Sequence, residues 1–453
     1  MKLANCLAIL SPLVAASAVK ITGSNAPRDA KVNYDGYHVY RVSTANAPSD
    51  LQSRLVSFPS IDLKDFIEVA VPPNDIGGFE ALGLDAQLLS NDLGNQIREE
   101  SRVISSTPLT KRGGLPSLSW FDSYHSYDDH VQYWKDLHAA FPNNSQWLDI
   151  GSSYEGRNIF GLKLWGGKPA ENKPIVLWHG TVHAREWITT MTVEYLTYQL
   201  IEGYRSGNKN VTAFFDAYDF YIVPFHNPDG KNFPSRPTRA PQSTNFHQGF
   251  VYTQTTDRLW RKNRQPRSNV TCIGTDGNRN WDFQWNYPLE DGSVSSDPCS
   301  QTFRGLSPGD TTENVVLSAL SRKLAATPGG IRLFIDWHSY SQLILLPWGF
   351  SCAPDVLPKN LQAQRDVGGG YAAAINATSG EEYQVGPSCE ILYYSTGSAR
   401  DFHHGALNAT YSWSVELRPK TSGAGGFVLP PELIRPTVKE HWEGIKYVLR
   451  AVG

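Results

Sequence analysis

Four short apolar runs, each closed by polar residues, do most to narrow the fold of this chain. They are KPIVLWHGT (173–181), DFYIVPFHN (219–227), IRLFIDWHS (331–339) and ATYSWSVELR (409–418). Runs of this length, rich in β-branched and aromatic residues, predict central strands covered on both faces. Elsewhere, DHVQYWKDLHAAF (129–141) and TMTVEYLTYQLIEGY (190–204) carry helical periodicity. Strands alternating with helices argue for the α/β class, a doubly wound mixed sheet flanked by helices. In such sheets ligands gather beyond the carboxyl ends of the strands, so the polar residues that end the four runs are the candidates for chemistry.

The chain has 453 residues, enough for this domain and a smaller one. Its start, MKLANCLAILSPLVAASAVK, joins a lysine, an apolar stretch and the small-residue triplet Ala16-Ser17-Ala18, the pattern of a secretory signal peptide over residues 1–18. Alternating patterns around 38–43 and 67–71, with helical stretches between, predict a small α+β unit over 19–112. That unit ends in SRVISSTPLTKRGG, where Lys111-Arg112 before two glycines suits a dibasic or trypsin-like processing protease. The third segment is then 113–453. A net charge of -3 offers nothing to nucleic acid or an anionic membrane, and a secreted monomer is expected. Without Cys6 of the signal, four cysteines remain, which in a secreted chain suggests two disulfides among three possible pairings. Sequons begin at Asn143, Asn210, Asn269, Asn376 and Asn408, all candidates for glycosylation.

The run at 173–181 leads into HGTVHAREW, where His183 and Glu186 stand one turn of chain apart, and the run at 331–339 supplies His338. Two imidazoles and a carboxylate are three protein ligands for one Zn²⁺ with a position left open, as catalytic zinc requires. Glu416, in VELR, adds a carboxylate able to take a proton from water acidified there; the alternative for it is a salt bridge with Arg418. Arginines and asparagines crowd RLWRKNR (258–264) and DGNRNWD (276–282). A guanidinium with an amide suits capture of a carboxylate, and another can stabilise an oxyanion. Together these groups describe hydrolysis of the bond next to a free C-terminus.

HAREW, NPDG, RLWRKNR, CIGTDGNRNWD, HSYSQ, the Tyr393 loop and VELR occur in the order found in the zinc metallocarboxypeptidases of the pancreatic carboxypeptidase A/B family, which this chain resembles over nearly all of 113–453. The N-terminal unit resembles that family's inhibitory activation domain, a ferredoxin-like α+β fold, so a zymogen is implied. The resemblance implies His183, Glu186 and His338 as ligands of one zinc ion, Glu416 as general base and Arg261 as the residue that polarises the carbonyl. It implies Asn278 and Arg279 on the terminal carboxylate, Tyr393 closing over it, and Arg185, Ser339, Tyr340 and Phe427 along the peptide. Asp276 would orient a zinc histidine, and the disulfides would be Cys272–Cys299 and Cys352–Cys389. The substrates would be peptide and protein C-termini. A non-catalytic peptide-binding relative is the rival reading.

Three departures from the family pattern stand out. The turn VELRPKTSGAGGF runs two residues longer than usual before Phe427. The segment 231–249 interrupts an otherwise continuous NPDGFVYT and is either a Pro-rich loop or a translated intron. Within YYSTGSARDFHHG (393–405), Arg400 occupies the position that lines the base of the pocket for the C-terminal side chain. A guanidinium there favours acidic C-terminal residues; the alternative is an Arg400 paired with Asp401 over a pocket for apolar and aromatic ends. His403 and His404 are expected at the surface.

Overall fold

The computed structural model describes residues 31–45, 60–63, 66–101, 114–167, 172–230, 249–267, 270–289 and 294–453. The signal peptide, Lys111, Arg112, Asn269 and residues 231–248 lie outside the described residues. The N-terminal unit holds strands β1 (His38–Ser43), β2 (Ser60–Leu63), β3 (Phe66–Val71) and β4 (Ala86–Ser90), followed by helix α1 (Leu93–Ser101). They pair antiparallel in the order β2-β3-β1-β4, the strand order of a ferredoxin-like sheet. Alternation along β1 buries Tyr40 and Val42, and Val39 is buried beside them where the pairing with β4 shifts register.

The remainder is built on eight strands: β5 (Ser145–Ser152), β6 (Asn158–Leu164), β7 (Ile175–His179), β8 (Asp219–Val223), β9 (Ile331–Ser339), β10 (Leu343–Leu346), β11 (Gln384–Pro387) and β12 (Tyr411–Leu417). Their order is β11-β10-β12-β9-β7-β8-β6-β5. The four apolar runs are the adjacent central strands β12, β9, β7 and β8, all parallel, so their carboxyl ends open on one edge. Antiparallel β5, β6 and β10 make the sheet mixed. The expected bounds shrink at Gly180 and Pro224, where the chain turns off the sheet.

Helices cover both faces. One face carries α2 (Tyr127–Ala140), α3 (Trp187–Arg205), α5 (Leu361–Ser379) and α7 (Ile434–Ala451), packed on Trp178, Trp337, Trp413 and Val415. The other carries α4 (Thr312–Ala325) and α6 (Ala399–Gly405), packed on Leu177, Val223 and Phe334. Burying an aromatic side chain fully contributes about 3 kcal/mol, so the first face dominates stability. Period-two alternation divides β12 sharply, with Trp413, Val415 and Leu417 in the aromatic face and Ser412, Ser414 and Glu416 on the other. Along β9, Leu333, Ile335 and Trp337 join the aromatic face, leaving Asp336 and His338 beside α6.

Disulfides join Cys272 to Cys299 and Cys352 to Cys389. Asn143, Asn210, Asn376 and Asn408 are exposed. Among the described residues no helix is long and apolar enough to cross a membrane. One expectation fails: His403 is fully buried, with Nδ1 2.8 Å from the Ala399 carbonyl and Nε2 2.9 Å from Ser321 Oγ. It sits on the inner side of α6, stacked on Phe334. His404 is only half-buried.

Candidate active site

Beyond β7 the chain makes a tight turn, held by Thr181 Oγ1 against Thr190 Oγ1 at 2.6 Å and the Pro224 carbonyl at 3.0 Å. The amide of Glu186 donates to the His183 carbonyl at 3.1 Å, and Glu186 is the residue just before α3, its side chain free of the helix end. This single turn aims both side chains at the end of β9, where His338 stands. His183 Nδ1 lies 2.8 Å from Glu186 Oε1, and His338 Nδ1 lies 3.2 Å both from Glu186 Oε2 and from His183 Nδ1. All three residues are buried.

The far nitrogens face carboxylates: His183 Nε2 is 3.1 Å from Asp276 Oδ1, and His338 Nε2 is 2.8 Å from Asp336 Oδ2. An Nε2–H donated to each carboxylate leaves both Nδ1 atoms as lone pairs, pointed at one another. Two lone pairs and a carboxylate converging in a buried site repel unless a cation lies between them. Ligand atoms about 2.0–2.1 Å from a tetrahedral zinc stand roughly 3.3 Å apart, close to the spacing found here. The donor set therefore fits zinc, and among the described residues it is the only cluster of its kind.

Around it, Asp276 accepts from Arg261 Nη2 at 2.8 Å, Arg261 Nε at 3.1 Å and the amide of Asn278 at 2.8 Å. Burial opposes its charge, but Arg261 and His183 outweigh that and hold the carboxyl well below its ordinary range. The carboxylate of Glu416, a residue beside His338 in the register of β12 on β9, has no hydrogen-bond partner among the described residues. Burial pushes it up to about 7; His338 and Arg261 oppose this, while Glu186 adds to it. The alternative pairing with Arg418 is not made, because Arg418 turns to Glu440 and Glu381. Glu416 is left as a basic carboxylate beside the metal position.

A cleft of about 550 Å³ opens next to these groups. Along it Arg279 Nη2 is 3.2 Å from the Tyr393 hydroxyl, and Asn278 Oδ1 accepts the Ala399 amide at 2.8 Å. Arg400 also lines the cleft and is 2% exposed. Its Nε donates to Asp401 Oδ1 at 3.0 Å, and its Nη2 lies 3.5 Å from Ser398 Oγ. Gly349 makes room for it, since a Cβ there would meet Nη2 at 2.4 Å. Hydroxyls of Ser388, Ser395, Ser398 and Ser414 share the lining with Leu345 and Leu392. Ser414 Oγ is buried without a hydrogen-bond partner among the described residues.

Arg185, Tyr340 and Phe427 lie where the N-terminal unit meets the cleft. Arg185 packs over the Phe427 ring at 3.9 Å, and burial lowers its guanidinium to about 10, with Arg261 adding to the effect. The Tyr340 hydroxyl bonds Glu68 of β3, whose carboxylate also accepts the Ser422 amide at 3.3 Å and Arg41 Nε at 2.9 Å. Arg258 is clamped by Glu100 of α1 at 2.6 and 2.7 Å, and Tyr34 donates to Asp257 at 2.6 Å. Ser339 Oγ is buried without a hydrogen-bond partner among the described residues, while the Ser339 amide donates to Glu186 at 3.2 Å.

Reading the sequence alone overlooks Asp336, Ser414, the other cleft serines, and Glu68 and Glu100. For two of them a signal exists: Asp336 is two residues before His338 and Ser414 two before Glu416, hence on the same strand faces.

Residues 130–444 match the family described as zinc carboxypeptidase. A probable metallocarboxypeptidase A of Arthroderma benhamiae is 38% identical over 453 residues, covering 98% of this chain and 99% of the relative. The crystal structure of thrombin activatable fibrinolysis inhibitor matches with a TM-score of 0.78 at 25% identity, covering 92% of this chain and 99% of that one. Carboxypeptidase A from Helicoverpa armigera matches with a TM-score of 0.75 at 27% identity, covering 92% and 98%.

Proposed function

The chain belongs to the zinc carboxypeptidase family and is a metallocarboxypeptidase, and we propose that it is a secreted, zinc-dependent enzyme, made as a zymogen, that prefers acidic C-terminal residues. The observation that carries the zinc assignment is the convergence of His183 Nδ1, His338 Nδ1 and a Glu186 carboxylate on one point. An ion held there supplies Lewis acidity, which polarises a carbonyl and acidifies water. Glu416 takes the proton of the attacking water and returns it to the leaving amine. Arg261, already fixed by Asp276, stabilises the oxyanion, and Asn278 and Arg279 hold the terminal carboxylate with Tyr393 over it.

Arg400 sets the side-chain preference. Asp401 engages Nε, and a distant Ser398 is the partner of Nη2. Arg400 shares the lining of the cleft with Ser388, Ser395, Ser398 and Ser414, and guanidinium and hydroxyl donors match a carboxylate. An apolar side chain seated there would leave these groups desolvated, at about 1–3 kcal/mol. The Arg400–Asp401 pair is what favours the second reading, a pocket for apolar ends.

The zymogen assignment is supported by the N-terminal unit, whose Glu68 and Glu100 engage Tyr340 and Arg258 and whose strands cover Arg185 and Phe427. Secretion is supported by the leader pattern, the two disulfides and the exposed sequons. The experiment is cleavage at Lys111-Arg112 by a trypsin-like protease, followed by chelation and zinc addition. Activity should rise on cleavage, vanish with chelator and return with zinc. Full activity of the uncleaved chain would contradict the zymogen, and activity in excess chelator would contradict the metal.

A further inference from the structure

Two carboxylates back the two histidines, and they are not equivalent. Asp276 is neutralised by Arg261 and bonded by the Asn278 amide as well as by His183. Asp336 is 1% exposed; its Oδ2 meets His338 Nε2 at 2.8 Å and its Oδ1 has no hydrogen-bond partner among the described residues. No lysine or arginine pairs with it among the described residues; His338 is its one ionic partner.

The other groups near that carboxylate are poor sources of positive charge. Besides His338 and Glu416, the titratable groups that feel the Asp336 carboxylate are His226 and His403. His226 is engaged by Asn314 and His403 by Ser321 and the Ala399 carbonyl. Asn278 Nδ2, 3.1 Å from His338 Nε2, has its orientation fixed by the Ala399 amide. A buried anion left uncompensated in this way is costly. Its counter-charge reaches it through the His338 ring, from a proton or a cation on the Nδ1 side. A dication there, with Glu186 and Asp336, makes a neutral set, because Asp276 is already cancelled by Arg261.

We propose that Asp336 is a positioning residue for the metal: it fixes His338 with Nδ1 free and governs metal retention more strongly than Asp276 does. This rests on the assignment of zinc to His183, Glu186 and His338. Its physical basis is charge and orientation behind a ligand, which tune the ligand's donor strength.

The test uses the full chain with Asp336→Asn and Asp276→Asn variants. Zinc dissociation constants are measured by competition with a chromogenic chelator, and thermal midpoints are measured with and without zinc. Asp336→Asn should weaken zinc binding by about 10- to 100-fold, and by more than Asp276→Asn does. Thermal midpoints taken with and without zinc should show a smaller zinc-induced gain in Asp336→Asn than in Asp276→Asn; a purely structural role would lower both midpoints alike. Zinc affinity within two-fold of the parent, or a larger loss in Asp276→Asn, overturns the proposal. A parent chain that binds no zinc overturns the metal assignment itself. Should Asp336→Asn fail to fold, Asp336→Ser, smaller and uncharged, is put through the same competition with the same expectation.

Discussion

The two faces of strands β9 and β12 make opposite uses of the same backbone. On one, Trp337, Trp413 and Val415 pack against four helices in a predominantly aromatic and aliphatic layer. On the other, Asp336, His338, Ser414 and Glu416 stand at alternate positions of the same strands, polar, the first three buried and Glu416 partly so. The first face keeps the strands rigid, and the second holds groups that would each be costly alone. The difference teaches that the site tolerates its buried charges because the opposite face supplies stability in surplus. Neither face could be repacked without moving the other, since they share one backbone.

The sharpest way to separate them is to change one side at a time. Glu416→Gln should cut kcat by about 10²–10⁴-fold. The thermal midpoint of the metal-loaded enzyme should hold, because the Glu416 carboxylate accepts no hydrogen bond among the described residues. Steady-state kinetics and a melting curve check this, and a large fall in midpoint would mean that Glu416 also serves the fold. Trp413→Ala should do the reverse. It removes a fully buried indole that donates to Gln364 at 3.0 Å, and should cost about 3–5 kcal/mol in urea unfolding while specific activity per folded molecule survives.

A smaller effect lies in pH. Burial lowers His226 to about 4 and His403 to about 3, so the folded state binds fewer protons than the unfolded chain below the ordinary histidine value. Their share of stability is whole above pH ~6.5 and is lost as pH falls, at about 1.4 kcal/mol per group per unit, until the folded values are reached. Urea midpoints between pH 7.5 and 5 should show this slope, and His403→Asn should make it shallower. An unchanged slope would mean that His403 is not held neutral.

Much of this could be read from the chain. The four central strands, the HxxE turn and His338 carry local signals, because apolar runs and short spacings are properties of neighbouring residues. What escaped was set by distance or by period. The pairing of Glu100 with Arg258 spans 158 positions, and no local pattern announces it. Asp336 and Ser414 were absorbed into apolar runs, although a period of two places them beside His338 and Glu416. His403 was expected outside because α6 is short and polar in sequence, yet it packs inward on Phe334. The antiparallel strands β5, β6 and β10 are defined by partners rather than by composition, and only the fold reveals them.

The central claim is that Arg400, set among serines on the polar face, selects the C-terminal residue. The direct measurement is release from peptides differing only in a final Glu, Phe or Lys, at equal concentration, by the cleaved and zinc-loaded protein, with Arg400→Ile alongside. Glu should be released fastest by the parent, and Arg400→Ile should shift the Glu-to-Phe ratio toward Phe by about 10- to 100-fold, matching the 1–3 kcal/mol of an unmet buried polar group. Faster release of Phe than of Glu by the parent would contradict the account.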